Sequence, residues 1–252
     1  MNEQVNPENI RDEEEKAIND ILEFLPTETA LDVTVPSKCQ YYQTTNGADT
    51  ISIRPMTFDD EKALITSKNS DLDPVNLILS RCVENIDYSS LLQIDKLFLI
   101  LKIREISFGE DYSVVITCPG CGGDNPLTIN LSELPIKYIP DFTEDPHEIE
   151  LKVIKKTAKV RFPRIADEKA MSLADSAKSA LWRLVEEIGG NTNKKIIAKV
   201  IKKLPLRDLH TITNDVFGDK YGIQTKVKFI CEDCKTHNII DLPLGENFFS
   251  VS

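Results

Sequence analysis

The chain has 252 residues with 41% hydrophobic and 28% charged side chains, values of a globular protein with length for one large or two modest cores. Acids outnumber bases 41 to 30, a net charge of −11, which weighs against nucleic acid as the main ligand because phosphate binding relies on clustered Lys and Arg. There is no glycine-rich phosphate loop, no H-E-x-x-H pair and no apolar run long enough to span a membrane, so composition argues against most enzyme classes.

In chain order, the acidic start MNEQVNPENIRDEEEK lacks the basic and apolar regions of a secretory signal, and synthesis in the cytoplasm is expected. Residues 1–30 carry nine acids and two bases. Pro7 suits a first helical position, and Ile10, Ala17, Ile18, Ile21, Leu22 and Leu25 form an apolar stripe ending at Pro26. This stripe packs either on the protein's own core or in a partner's groove. A strand over Thr50–Ile53 precedes a helix opening at Asp59, where acids complement the positive end of the helix dipole. Helices are predicted over Pro74–Glu84 and Ile94–Ser107, and Phe108-Gly109 closes the second with a glycine suited to a left-handed C-terminal position. Val114-Val115-Ile116, Cys118-Pro119-Gly120-Cys121 and Leu127-Thr128-Ile129 then read as strand, knuckle, strand.

The second stretch repeats this order. Ile149–Phe162 reads as an extended segment or hairpin, followed by a helix opening at Asp167, helices over Ser172–Ile188 and Lys194–Lys203, and a short turn around Leu206–Val216. Phe217-Gly218, the strand Val227–Ile230, Cys231-Glu232-Asp233-Cys234 and Ile239-Ile240 complete it. Asp-Glu-Lys-Ala recurs at an offset of 107 (Glu61 to Glu168), Phe-Gly at 109 (Phe108 to Phe217) and the first cysteine at 113 (Cys118 to Cys231). Three landmarks in one order indicate an internal duplication. The expected fold class is therefore α+β, with internally duplicated, mostly helical repeats, each ending in a β-hairpin zinc knuckle, and the two knuckles forming a split zinc ribbon. The expected domains are an acidic helical arm over 1–32, a first repeat over 33–140, and a second repeat with C-terminal tail over 141–252. Phe248 and Phe249 in that tail either cover the ribbon or anchor a neighbour.

Four of the six cysteines form the two C-x-x-C pairs. Two such turns supply the tetrahedral thiolate shell of structural zinc, and in a reducing compartment metal takes precedence over disulfide. Cys118, Cys121, Cys231 and Cys234 are therefore the candidate metal ligands for one structural zinc per chain, fastening the two repeats together without a catalytic role. The alternatives are two separate sites, a lost metal or a redox pair; Gly122-Gly123-Asp124-Asn125-Pro126 cannot continue the helix that a thioredoxin-like pair opens. His237 reads as a surface loop residue, and Cys39 and Cys82 as small buried hydrophobes. Two stretches without acids, Lys152–Ala166 and Asn191–Arg207, carry six bases each; they are either solvated faces or contacts for an acidic protein surface, since no aromatics interleave for base stacking.

Val35-Pro36-Ser37-Lys38, Tyr41-Tyr42, Ile53-Arg54-Pro55-Met56-Thr57, Asp60-Glu61-Lys62, Arg81-Cys82, Leu99-Ile100-Leu101-Lys102-Ile103-Arg104, Phe108-Gly109-Glu110-Asp111-Tyr112 and Cys118-Pro119-Gly120-Cys121 follow one another in an order that resembles the baseplate hub proteins of T-even-like contractile-tailed bacteriophages. The resemblance covers roughly residues 33–135 and extends more weakly to the end through the duplication. It implies a non-enzymatic virion or assembly protein of the tail baseplate, made in the host cytoplasm, whose partners are other tail proteins, with no small-molecule substrate. Family members are either built into the hub or assist its assembly and leave. A zinc-ribbon nucleic-acid or transcription factor is the further alternative, poorly supported by the charge. Asp59, Asp60, Glu61, Asp167 and Glu168 offer paired carboxylates, but acids at helix starts have the simpler capping role.

Overall fold

The computed structural model describes residues 16–17, 30–45, 47–67, 73–172, 180–244 and 246–249. Of the predicted N-terminal helix, only Lys16 and Ala17 are described, both helical and exposed; the rest of its apolar stripe lies outside the described residues.

The fold is mixed α+β, with six helices and several small antiparallel sheets among the described residues. Strand β1 (Leu31–Val33) pairs with β2 (Ile51–Ile53). Helices α1 (Phe58–Ser67), α2 (Pro74–Cys82) and α3 (Gln93–Phe108) follow, then the hairpin β3–β4 (Asp111–Thr117, Asp124–Asn130). Beyond the short β5 (Ile136–Lys137), β6 (His147–Leu151), β7 (Lys156–Val160) and β8 (Val185–Ile188) form a three-stranded sheet, with α4 (Ile165–Ser172) between β7 and β8. Helices α5 (Lys194–Ile201) and α6 (Leu206–Phe217), β9 (Gly222–Ile223) paired with β5, and the hairpin β10–β11 (Lys226–Ile230, His237–Asp241) complete the chain.

Helix α3 is the centre of the larger core. Phe98, Leu99, Ile100, Leu101 and Ile103 are all buried, so little of its surface faces water. Its first turn holds Asp95, which is fully buried, accepts the Ser37 N–H at 2.9 Å and is bonded to the Tyr42 hydroxyl. Burial, the dominant cause, raises the Asp95 carboxyl to about 6. Leu242, Phe248 and Phe249 close this core, with Phe248 edge-on to Tyr112 at 5.1 Å. The C-terminal aromatics are therefore buried against their own chain, which removes them as an anchor for a neighbour. The second core joins Leu151, Val160, Leu181, Leu184, Val185, Ile188, Ile197, Ile201 and Ile212.

Two predicted elements are corrected. The helix expected through Ile188 gives way to β8, because this segment runs beside β7 (Val160↔Val185, Ala158↔Ile188) and buries Val185 and Ile188 against it. The turn expected around Leu206–Val216 is a 12-residue helix, α6. It buries Ile212 and Val216, and its buried Asp208 accepts the N–H groups of Val153 and Ile154, both at 3.0 Å, tying the helix start to the β6–β7 turn. The Phe-Gly ends also differ from each other: Gly109 has φ 95°, whereas Gly218 has φ −78°. Glycine is needed at 218 for space, since a Cβ there would lie 2.2 Å from the Asn214 carbonyl oxygen.

Candidate metal centre

The two C-x-x-C segments fold alike. In the first, the Cys118 N–H donates to the Gly123 carbonyl (2.8 Å) and the Gly122 N–H to the Cys118 carbonyl (2.9 Å). In the second, Cys231 donates to Thr236 (3.0 Å) and Lys235 to Cys231 (3.1 Å). Both turns place the residue after the second cysteine in the left-handed region, Gly122 at φ 77° and Lys235 at φ 59°. The parent hairpins pack face to face: alternation along β3 and β10 buries Ile116 and Phe229, which meet Val114, Leu127 and Ile240 in a small apolar cluster ending at Cys118 and Cys231.

This packing brings four thiols from distant segments to one point. The sulfurs of Cys118, Cys121, Cys231 and Cys234 all lie within 4.8 Å of one another. The short edges run between knuckles, Cys118 Sγ to Cys234 Sγ at 3.8 Å and Cys121 Sγ to Cys231 Sγ at 3.6 Å. A tetrahedral zinc with sulfur bonds of about 2.3 Å has sulfur–sulfur edges of about 3.8 Å, so the set fits such an ion. All six cysteines are free thiols. The first cysteine of each pair is buried and the second exposed, leaving the cluster anchored on one side and open to solvent on the other.

The thiols are electrostatically unequal. Cys234 is lowered to about 6, first by its hydrogen bond with the Thr236 side chain, and Cys231 is lowered first by the Cys234 backbone N–H. Cys121 receives the Gly123 N–H, yet the neighbouring Cys234 and Cys231 thiols push it up to about 12. Four sulfurs this close cannot all carry charge unaided; a divalent cation removes the conflict by binding all four thiolates.

Two side chains that the sequence reading missed complete the surroundings. Asn125 donates through Nδ2 to Cys231 Sγ, and Asn238 donates to Cys118 Sγ, each at 3.6 Å and each across to the opposite knuckle. Each amide also donates to the carbonyl two residues before it, Gly123 or Thr236, which fixes its orientation. Asn125 further accepts the Glu232 N–H at 2.8 Å; Asn238 has no counterpart, because Pro119 occupies the matching position and lacks an N–H. The available signal was an asparagine four residues after the second cysteine of both pairs.

The sequence model of the family described as T4 bacteriophage base plate protein matches residues 33–250, most of the chain and both knuckles. The chain belongs to this family. Neither the curated proteins nor the solved structures compared with it include a match. Within this base plate protein the remaining sequence candidates take these places. Cys39 and Cys82 are buried away from the cluster, and burial raises them to about 12 and about 11, as for inert thiols. His237 begins β11 and is exposed, a strand residue in place of the expected loop. Asp60 is a buried ion-pair centre, bound by Arg54 (2.7 and 3.2 Å) and Arg81 (2.5 Å). Its burial opposes ionisation, but Arg54, the Thr57 N–H and Arg81 together hold it well below the usual carboxylate range. Asp167 is held by Arg161 and Glu168 by Lys96. Of the basic stretches, Lys159, Arg161, Arg164 and Lys194 are paired with Glu187, Asp167 and Glu186, Asp145 and Glu186 respectively, whereas Lys195, Lys199, Lys202, Lys203 and Arg207 are exposed and make no ion pair among the described residues.

Proposed function

We propose that this base plate family member is a non-enzymatic structural component of the tail baseplate hub, built from two related repeats (33–140 and 141–252) that one zinc on Cys118, Cys121, Cys231 and Cys234 fastens together. The observation that carries it is the four-thiol cluster, assembled two and two from hairpins that end the two stretches. Metal bound there joins distant segments, so its binding energy becomes folding energy and the ion serves architecture.

Matching hydrogen bonds support the duplication. Arg54 and Arg161 each fork onto an aspartate six residues on, Asp60 and Asp167, and each also donates to the carbonyl of the next residue, Pro55 or Phe162. Each aspartate accepts the N–H three residues before it, from Thr57 or Arg164. The N–H of Arg54 donates to the Cys82 carbonyl and that of Arg161 to the Leu184 carbonyl, and in each case the residue before the arginine bridges the residue after the acceptor, Ile53 with Val83 and Val160 with Val185. A split ribbon made from the two knuckles follows. The same ion pairs support a non-enzymatic reading: of the five candidate carboxylates, Asp60, Asp167 and Glu168 are engaged by Arg54, Arg81, Arg161 and Lys96.

The partners are other tail proteins, bound through the acidic arm over 1–32 and the exposed bases of α5 and α6, in the virion. Quantitative mass spectrometry of purified particles tests this. A fixed copy number is expected; presence in assembly intermediates but absence from finished particles would assign the chain as an assembly chaperone instead.

A further inference from the structure

The two halves meet through a contact whose two sides each recur, uncovered, elsewhere in the chain. In that contact the start of α4 sits on the entry to α3. The Gln93 N–H donates to the Pro163 carbonyl and the Ile165 N–H to the Leu91 carbonyl, both at 2.9 Å, around a Leu92↔Arg164 bridge. Ile165, 5% exposed, enters the core of the first half, and Glu168 pairs with Lys96 at 2.7 Å.

The duplication proposed above, on which this inference rests, places Met56, Phe58 and Glu61 where the second half has Pro163, Ile165 and Glu168. Phe58 is 77% exposed, and Ile65, about two turns further along the same helix, is exposed too. Counting from the first residue of each half's last helix, Leu204 and Leu206 stand where the first half has Leu91 and Gln93, and Leu206 is 70% exposed. The Met56 carbonyl, the Phe58 N–H, the Leu204 carbonyl and the Leu206 N–H make no hydrogen bond among the described residues. They are the counterparts of the four groups that pair within the chain. Charge agrees as well: Asp59 and Glu61 flank Phe58, whereas Lys202, Lys203 and Arg207 surround Leu206.

We infer that the chain associates head-to-tail with a second copy of itself, the Met56–Ile65 face of one copy seating on the Leu204–Arg207 entry to α6 of the next. Phe58 packs on Leu206, Glu61 meets Lys203 or Arg207, and two backbone hydrogen bonds repeat the internal register. Such a contact is heterologous, so it leaves one free face at each end and closes only as a ring.

Sedimentation velocity over a concentration series, with benzoylphenylalanine replacing Phe58 in a mixture of isotope-labelled and unlabelled chains, tests the contact. Self-association is expected, with cross-links between copies onto the peptide containing Leu206. Phe58→Ser or Leu206→Ser should weaken it by about tenfold or more. Mixing the two variants should restore dimers, because each retains the face that the other lacks. Both residues are exposed, and unchanged melting would show that folding is intact. A wild type that stays monomeric to its solubility limit, or cross-links only to another protein, would overturn the inference. Halves that fail to superpose in an experimental structure would sink the duplication instead, a separate outcome.

Discussion

The core around α3 takes Ile165, Ile223, Leu242, Phe248 and Phe249 from beyond residue 140, whereas, among the described residues, the core around α5 and α6 is lined by residues from Ile149 to Val216. Two stretches with matching landmarks therefore stand in unequal dependence: the second can hold its own core, and the first is completed by the end of the chain. The four-thiol cluster lies beside that dependence, since β10–β11 carries two of the thiols and leads directly into Leu242 and the buried aromatics.

Phe248→Ala should break the asymmetry most visibly. Its cost is expected at about 3–5 kcal/mol, and hydrogen exchange should rise in α3 and β3 while β6–β8 stays protected. Equal loosening of both cores would contradict the comparison. The paired aspartates sharpen it next. Asp60→Ala strands two arginines beside a fully buried site and should cost about 3–5 kcal/mol, whereas Asp167→Ala, at a partly solvated pair, should cost about 1–2 kcal/mol by denaturant unfolding.

A pH effect opposite in sign to that of the ion-paired aspartates belongs to Asp95 in the first core. The folded state raises Asp95 from 3.8 to about 6, so it binds an extra proton in that interval. The associated stability is present below the ordinary aspartate value and is lost as pH rises through about 6, on the order of 3 kcal/mol. Asp95→Asn should abolish that slope in urea titrations between pH 4 and 7. Smallest is the difference between the knuckle asparagines. Asn125→Ala should weaken zinc about tenfold in chelator competition, and Asn238→Ala less, because Asn125 alone also holds the Glu232 N–H.

Much of the layout was legible because it rests on local patterns. Each knuckle announces itself by C-x-x-C between β-branched residues, and Ile149–Phe162 reads as extended chain, which the structure resolves as the β6–β7 hairpin. β8 was not legible: Val185 and Ile188 are spaced three apart, which suits a helix face as well as a strand, and only pairing with β7 decides. α6 hid behind Pro205, two threonines and an asparagine, all weak helix formers, although Leu209, Ile212 and Val216 keep helical spacing. The four cysteines were named from spacing, but the contacts from Asn125 and Asn238 across the knuckles depend on the hairpins meeting face to face, which no local pattern encodes.

Zinc content by elemental analysis, on protein purified without chelator and on the single variants Cys118→Ser and Cys231→Ser, tests most directly whether one ion joins the halves. One zinc per wild-type chain is expected, with tight binding lost in either variant and both hairpins loosened together in hydrogen exchange. Two zincs per chain, none, or loss of protection confined to the mutated hairpin would contradict it.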